Sequence, residues 1–219
     1  MTWVKICGMT NLEDALVAVE AGADAVGFVF YEKSPRCVTV ETAREIVAKL
    51  PAEVEKVGVF VSESIGGPAA MLERAGLTSA QVYTKSIHEW MKWYQTSERK
   101  LMWAIPGSVL KEEFFISLGT VDKPISALVV DSGSGERPGG TGERFDWEGA
   151  KLGIWFVEQN VPVVVAGGLN PHNVDQAIKT FRPWGVDVVS GVEASPGKKD
   201  PEKVRAFVKA VREMDRKVG

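Results

Sequence analysis

Short apolar runs recur along the chain and alternate with segments of helical periodicity. The runs are rich in β-branched residues and mostly continuous rather than alternating with polar positions, which is typical of strands covered on both faces, as in parallel sheets. They span residues 4–6, 25–30, 56–61, 80–83, 101–105, 127–130, 161–165 and 186–189. The pattern therefore predicts a series of buried strands connected by helices.

Four segments repeat apolar residues at positions i, i+3, i+4 and i+7, which is the spacing of one helix face. These segments begin at Leu12, Ala43, Val174 and Val204, each next to a strand run. Periodicity is weaker between residues 86 and 118, so the pattern predicts element boundaries there less sharply.

Helix-start signals accompany three of these segments. Thr10 and Glu13 have the spacing of a capping box. Asn170-Pro171 and Asp200-Pro201 each place a capping residue before a proline, which suits the first helical position. We therefore expect helices to begin at these points.

The alternation of strands and helices predicts an α/β fold, the (β/α)8 TIM barrel. The 219 residues allow about 27 per unit, enough for a strand, a helix and two short loops, and fall within the usual barrel length. The alternative is an open doubly wound sheet, which typically carries Gly-x-Gly-x-x-Gly after its first strand, a pattern missing from this sequence. Because no linker or composition break interrupts the chain, a single compact catalytic domain over residues 1–219 is expected.

Composition narrows the class of function. The chain has 26 basic and 29 acidic residues and a net charge of −3, without the basic footprint of a nucleic-acid-binding protein. No apolar run approaches the roughly 20 residues that span a bilayer. No basic segment followed by an apolar stretch resembles a signal peptide at the N-terminus, so a cytoplasmic location is expected.

Two cysteines and two histidines limit the available chemistry. Cys7 and Cys37 cannot build a multi-disulfide scaffold or a Cys-rich zinc module, and cytosolic thiols stay reduced. His88 and His172 leave little room for a His-rich metal site, and we expect both to have packing or solvated roles. Carboxylates, a thiol, lysine or tyrosine must therefore carry most of the chemistry.

Candidate catalytic groups follow the strand runs, because catalytic residues of a barrel lie at the carboxyl ends of its strands. Cys7 follows the first run and can be a base or nucleophile if nearby positive charge favours its thiolate, or simply a small buried residue. Asp131 ends the sixth run and can be a general acid if burial favours its protonated form, or a turn-forming residue. Arg36 can bind a carboxylate bidentately, although loop arginines are mostly solvated. For Cys37, which lies in a loop beyond a proline, a structural role is favoured.

Glycines in three later loops suggest ligand binding. Gly135 and Gly140 have P-loop spacing, but Thr141 stands where that motif needs lysine, so this loop is either a lid over substrate or a surface connection. Gly167-Gly168 and Ser190-Gly191 follow the seventh and eighth runs. Barrels often bind phosphate through backbone N–H groups of these two loops, and the alternative is that the glycines only form tight turns.

These residues belong to motifs that together resemble one family. In chain order the motifs are Lys5-Ile6-Cys7-Gly8, Gly27-Phe28-Val29-Phe30 with Ser34-Pro35-Arg36, Lys56-Val57-Gly58-Val59-Phe60-Val61, Asp131-Ser132 with Gly139-Gly140-Thr141-Gly142 and Phe145-Asp146-Trp147, Ala166-Gly167-Gly168-Leu169-Asn170-Pro171, Val186-Asp187-Val188, and Ser190-Gly191-Val192-Glu193. They resemble the phosphoribosylanthranilate isomerases of tryptophan biosynthesis over most of residues 1–75 and 127–205.

The resemblance implies a (β/α)8 barrel that binds a small phosphoribosyl substrate, needs no cofactor, and rearranges N-(5-phosphoribosyl)anthranilate by acid–base catalysis. Asp131 would be the general acid that opens the ribose ring, and Cys7 the general base that removes the C2′ proton. Arg36 would face the anthranilate carboxylate. The phosphate would be held by Gly167, Gly168, Ser190 and Gly191.

The chain departs from the family pattern mainly after the fourth strand. The family usually reads Gln-Leu-His-Gly there, whereas this chain reads Gln81-Val82-Tyr83-Thr84, followed by Lys85 rather than an acidic residue. The family's Lys-Ala pattern at the fifth strand is absent. After the eighth strand, where the family has two serines, this chain has Val189-Ser190. Since Cys7 and Asp131 are retained, isomerase activity is expected.

Two alternatives and the oligomeric state are left open by the sequence. An isomerase of the histidine pathway's phosphoribosyl aminoimidazole substrate typically carries a carboxylate at the position of Cys7, which disfavours that alternative. A phosphate-binding barrel that has lost its chemistry is favoured only by the altered strand 4–5 region. No helix face is unusually apolar, so the sequence does not distinguish a monomer from a homodimer.

Overall fold

The strands of this computed structural model, which describes residues 1–110, 125–133 and 144–218, form a closed parallel barrel. They are β1 Trp3–Cys7, β2 Ala25–Val29, β3 Glu55–Val61, β4 Ser79–Tyr83, β5 Lys100–Pro106, β6 Ala127–Asp131, β7 Val163–Val165 and β8 Gly185–Val188. Each strand pairs with the next, and β1 also pairs with β8, with Lys5 opposite Asp187. This closure confirms the predicted TIM barrel and excludes the open sheet.

Helices follow the strands around the outside of the barrel. Those in the described ranges are α1 Leu12–Glu20, α2 Val40–Val47, α3 Gly66–Ala75, α4 His88–Thr96, α5 Trp147–Glu158, α6 Val174–Phe181 and α7 Pro201–Val218. A 3-10 turn, Ser190–Val192, and a hairpin of β9 Glu193–Ser195 with β10 Lys198–Lys199 separate β8 from α7. The four helices predicted from periodicity are confirmed as α1, α2, α6 and α7.

Strand residues alternate between two apolar layers, which explains why the runs are continuously apolar. Residues such as Val4, Ile6 and Phe28 belong to the large outer core beneath the helices. The alternate positions form a second core of small and medium side chains inside the barrel, comprising Ala25, Val57, Met102, Ala104, Ala127, Val129, Val164 and Ala166. Toward the carboxyl ends of the strands the inward positions become polar, which places the candidate chemistry there.

The first helix begins differently from the prediction. Asn11, not Thr10, is the N-cap of α1, and its side-chain oxygen accepts a hydrogen bond from the Asp14 N–H at 2.9 Å. The Thr10 hydroxyl instead donates to the Gly197 carbonyl at 2.6 Å. The predicted capping box of Thr10 and Glu13 is therefore wrong, because the asparagine one position later caps the helix through the Asp14 N–H instead.

The two proline-containing starts have different outcomes. Asp200 caps α7 as predicted, since its Oδ1 accepts from the Glu202 N–H at 2.9 Å and the helix begins at Pro201. The start predicted at Asn170-Pro171 is wrong, because residues 171–173 form a turn and α6 begins only at Val174. The Asn173 side chain accepts from the Asn170 N–H across that turn at 2.8 Å.

Two further expectations concern the surface and one loop. His88 and His172 are both exposed, in agreement with a solvated role. None of the helices within the described ranges is long and apolar enough to cross a membrane. The lid predicted from Gly135 to Gly142 lies outside the described residues.

Candidate active site

The Cys7 thiol lies at the carboxyl end of β1, beside a buried ion pair. Lys5, two positions earlier on the same face, donates to Asp187 Oδ2 with an Nζ–Oδ2 distance of 2.9 Å, and both side chains are almost fully buried. Burial raises the pKa of the Cys7 thiol, the positive charge of Lys5 opposes that rise, and the Asp187 carboxylate adds to it. The thiol form is therefore favoured, and the neighbouring ion pair controls how strongly.

Space for this cluster comes from a glycine on the next strand. Gly27 of β2 is paired in register with Cys7. A Cβ atom at Gly27 would lie 2.5 Å from Cys7 Sγ and 3.0 Å from Lys5 Cε. The absence of a side chain at this position therefore allows the thiol and the lysine to face the barrel interior together.

Asp131, the second predicted catalytic residue, ends β6 and is 4% exposed. Its Oδ2 accepts a hydrogen bond from the Tyr83 hydroxyl at 2.6 Å. Its Oδ1 faces the Ser132 hydroxyl and the Gly133 N–H, both at 3.3 Å. Donors around both oxygens fix the orientation of the carboxyl group.

Arg36 is buried rather than solvated, and a carboxylate already holds part of it. Its Nε and Nη2 donate to Glu193 Oε1 and Oε2 at 2.8 and 2.7 Å. Glu193 also accepts from the buried Lys199 ammonium at 3.0 Å. Two of the five N–H groups of the guanidinium are used in this way, which leaves three that can bind a ligand.

Two neighbouring cavities open at this end of the barrel and share Asp187. The first is lined by Cys7, Arg36 and apolar side chains that include Val29, Val59 and Val61. The second is lined by Asp131, Gly167, Gly168 and Ser190. Asp187 and Val189 line both cavities, so the two lie side by side.

The glycines of the last two loops are required by close backbone packing. Gly167 and Gly168 have φ values of +77° and +66°, a region that favours glycine. A Cβ at Gly167 would lie 2.5 Å from the Ser132 nitrogen, and one at Gly191 would lie 1.9 Å from the Leu169 oxygen. The loops after β6, β7 and β8 therefore touch one another, and the second cavity lies at their junction.

The structure brings most of the predicted site residues to one end of the barrel. Cys7, Arg36, Asp131 and the loop residues Gly167, Gly168 and Ser190 all line the paired cavities. Gly191 packs closely against the Leu169 backbone of the loop that follows β7. Cys37 is an exposed free thiol, and Cys7 is free as well.

Sequence reasoning missed several polar residues of the site. They are Lys5, Gln81, Tyr83, Asp187 and Glu193. Lys5 and Asp187 could have been found, because charged residues within continuous apolar strand runs must be buried and therefore need partners. In the described ranges no group of His, Cys, Asp and Glu side chains is placed to hold a metal ion.

Comparison with known proteins gives a consistent result over nearly the whole chain. A family model described as N-(5'-phosphoribosyl)anthranilate (PRA) isomerase matches residues 4–210. The N-(5'-phosphoribosyl)anthranilate isomerase of Citrifermentans bemidjiense is 45% identical over 208 residues, covering 95% of this chain and 96% of its own.

Two solved structures extend the comparison to three dimensions. One holds monomers generated from the dimeric phosphoribosylanthranilate isomerase of Thermotoga maritima, with a TM-score of 0.81, 38% identity and coverage of 97% of this chain and 100% of that one. The other is a phosphoribosyl anthranilate isomerase in complex with reduced 1-(o-carboxyphenylamino)-1-deoxyribulose 5-phosphate, with a TM-score of 0.80, 37% identity and the same coverage. From the family match, these relatives and the barrel fold, the chain belongs to the N-(5'-phosphoribosyl)anthranilate isomerase family.

Proposed function

We propose that Cys7 and Asp131 carry the isomerase reaction of this chain, an isomerase of tryptophan biosynthesis. The reaction converts N-(5'-phosphoribosyl)anthranilate to 1-(2-carboxyphenylamino)-1-deoxyribulose 5-phosphate. The observation that carries this proposal is the pair of neighbouring cavities that share Asp187 as a wall, with Cys7 lining the first and Asp131 lining the second. The two candidate groups thus line adjacent cavities at the same end of the barrel.

The two cavities have the chemistry of the two ends of the substrate. Val29, Val59 and Val61 offer an apolar surface to the anthranilate ring, and Arg36 offers its remaining N–H groups to the carboxylate. The loops of Gly167, Gly168 and Ser190 offer backbone N–H groups to the phosphate. The ribose would then lie between them, beside Asp187. The ligand described for the solved relative likewise joins a carboxyphenyl group to a sugar phosphate.

The reaction needs an acid for one atom and a base for another. Protonated Asp131 gives its proton to the ring oxygen of the ribose, the C1′–O bond breaks, and the anthranilate nitrogen forms an iminium. The Cys7 thiolate then removes the proton from C2′, and the released electron pair forms an enolamine. The enolamine tautomerises to the ketone by gaining a proton at C1′ and losing one from the C2′ hydroxyl.

The environment of Cys7 sets the pH dependence of the second step. Burial raises the pKa of the thiol, so only a minor fraction is thiolate at neutral pH. Lys5 stabilises the thiolate charge and offsets part of this effect. Turnover limited by this step would rise with pH as the thiolate fraction grows.

We expect this enzyme to act in the cytoplasm as a single catalytic domain. The wild-type chain contains the acid, the base and both cavities within one barrel. The Thermotoga maritima relative is described as dimeric, and sedimentation velocity on the purified protein would distinguish a dimer from a monomer.

Turnover of N-(5'-phosphoribosyl)anthranilate, followed by loss of its anthranilate-type fluorescence, tests the proposal. Cys7→Ala and Asp131→Asn should each lower kcat by about 10²-fold or more, the usual contribution of an acid or a base. Cys37→Ser is the matched control, because Cys37 is exposed, and it should keep wild-type kcat. An inactive wild-type enzyme, or near-normal turnover in either folded site variant, would refute the role assignment.

A further inference from the structure

We propose that Tyr83 is a positioning residue for Asp131, acting through its hydroxyl group. This role rests on the proposed function of Asp131 as the general acid. Tyr83 stands where the family pattern usually has histidine, so the role concerns a residue in which this chain departs from that pattern. The feature that carries the proposal is the 2.6 Å hydrogen bond from the Tyr83 hydroxyl to Asp131 Oδ2.

The strand register explains how the two side chains meet. Tyr83 ends β4 and pairs with Ala104 of β5, which in turn pairs with Val129 of β6. Asp131 lies two residues beyond Val129, at the end of the same strand. Because Ala104 has only a methyl group, the phenol ring can pass over β5 and reach the carboxyl group on β6. Tyr83 packs against the inner apolar core, which holds the ring in place.

The direction of this hydrogen bond is well defined. The Gln81 side-chain N–H lies 3.4 Å from the Tyr83 oxygen and donates toward it, so the Tyr83 proton is free to point at Asp131. Burial and the nearby Asp131 charge raise the pKa of Tyr83 well above its ordinary value, so the hydroxyl keeps its proton. Tyr83 therefore remains a donor throughout the working pH range.

A fixed donor of this kind assists the acid step in two ways. It holds the carboxyl group in one rotation, so that the proton is presented toward the cavity that Asp131 lines. It also stabilises the carboxylate that forms as the proton leaves, an interaction that is stronger in the transition state than in the protonated ground state. Loss of the hydroxyl should therefore lower kcat more than it changes KM.

Tyr83→Phe tests this role, because it removes only the hydroxyl group. We expect kcat to fall about tenfold with KM nearly unchanged, since a hydrogen bond to a charged group is typically worth that much or more. The kcat–pH profile should change as well, whereas a purely structural role of Tyr83 would leave it as in the wild type. Asp187 from β8 and Cys7 from β1 also face this region, and neither is altered by the substitution.

Two further variants keep the test decisive if the first folds poorly. Tyr83→His should recover most of the lost turnover, because an imidazole N–H can replace the donor. Tyr94→Phe is the matched control, since the Tyr94 hydroxyl contacts Ser126 at 3.1 Å on a different part of the barrel, and it should keep the wild-type pH profile.

The outcomes separate this proposal from the proposed function. If wild-type enzyme is active and Tyr83→Phe keeps its kcat and pH profile, the Tyr83 role is wrong while the isomerase assignment stands. If Tyr83→Phe lowers kcat equally in wild-type and Asp131→Asn backgrounds, Tyr83 does not act through Asp131, and the role is again wrong. Loss of the Tyr83 effect in the Asp131→Asn background supports it.

Discussion

A thiol and an ion pair occupy adjacent inward positions at the carboxyl end of the barrel. Lys5 lies between Cys7 and Asp187, so its charge acts on both. Isolated charges in an apolar interior are strongly unfavourable, and each of these is tolerated because the other is close. At the scale of single residues, burial raises the pKa of the Cys7 thiol, and the two charges of the pair modify that rise in opposite directions.

Two substitutions in the ion pair should shift the Cys7 pKa in opposite directions. Lys5→Met removes the charge that favours the thiolate, so the pKa should rise. Asp187→Asn removes a charge that disfavours the thiolate while keeping an oxygen acceptor for Lys5, so the pKa should fall. The measurement is the pH dependence of alkylation in a Cys37→Ser background, where only Cys7 reacts. Equal thiol pKa values in all three proteins would contradict this account.

At the scale of elements, the approach of β1 to β2 determines where the thiol can lie. Cys7 and Gly27 are paired in register. The side chains of Cys7 and Lys5 occupy the space that a side chain at Gly27 would need. The site therefore depends on a residue that carries no functional group. Strand pairing provides the precision that a loop could not.

Gly27→Ala should impair catalysis more than stability. The added methyl group would lie 2.5 Å from Cys7 Sγ, so the thiol must move, and we expect kcat to fall at least about tenfold. The measurement is kcat alongside thermal unfolding.

Gly58→Ala on β3 is the matched control for that variant. Its added methyl group would contact Phe60 and Leu77 in the outer core instead, so it should lower Tm while the kcat of the folded enzyme stays close to wild type. If Gly27→Ala lost no more kcat than Gly58→Ala, the close approach at Cys7 would not matter for catalysis.

At the scale of the whole molecule, contacts between the first and last parts of the chain support the closure made by β1 and β8. The Thr2 N–H and hydroxyl both donate to Asp215 of α7, at 3.0 and 2.6 Å to Oδ1. Asp14 of α1 accepts from the Lys199 N–H at 2.8 Å. These bonds join residues that are 213 and 185 positions apart, so they hold the two ends of the chain together.

Because Asp215 and Asp14 accept these hydrogen bonds, protonation of the carboxylates in acid should weaken the contacts between the two ends of the chain. Burial opposes ionisation of Asp215, but the hydrogen bonds from Thr2 and Arg212 outweigh it and lower the pKa. A lowered native pKa contributes stability above the ordinary carboxyl pKa, and that stability is lost as pH falls through the native value. Asp215→Asn should therefore reduce the free energy of unfolding by about 1 kcal/mol at neutral pH.

Urea unfolding of both proteins from neutral to acidic pH provides the measurement. The difference between wild type and Asp215→Asn should shrink as the pH falls, because protonation removes the same charge in the wild type. A difference that stays constant over the whole range would show that ionisation of Asp215 does not contribute.

The sequence determined the fold and pointed to the candidate site residues because both inferences rest on local pattern. Strand runs that are apolar on both faces, together with amphipathic helices, suffice to predict a parallel barrel. In such a barrel, position alone places Cys7, Asp131 and the glycines of the last loops at one end. Helix starts were predicted less well, because Asn11 rather than Thr10 caps the first helix and a turn over residues 171–173 delays the start of α6 to Val174.

Only the tertiary structure decided which polar groups act on one another. Lys5 meets Asp187, Arg36 meets Glu193, and Tyr83 meets Asp131 across 182, 157 and 48 residues of sequence. These contacts follow from strand register and barrel closure, which bring distant residues within 3 Å of each other. The sequence determines the type of each side chain. Which charged or polar group lies beside it, and therefore its protonation and orientation, depends on how the barrel closes.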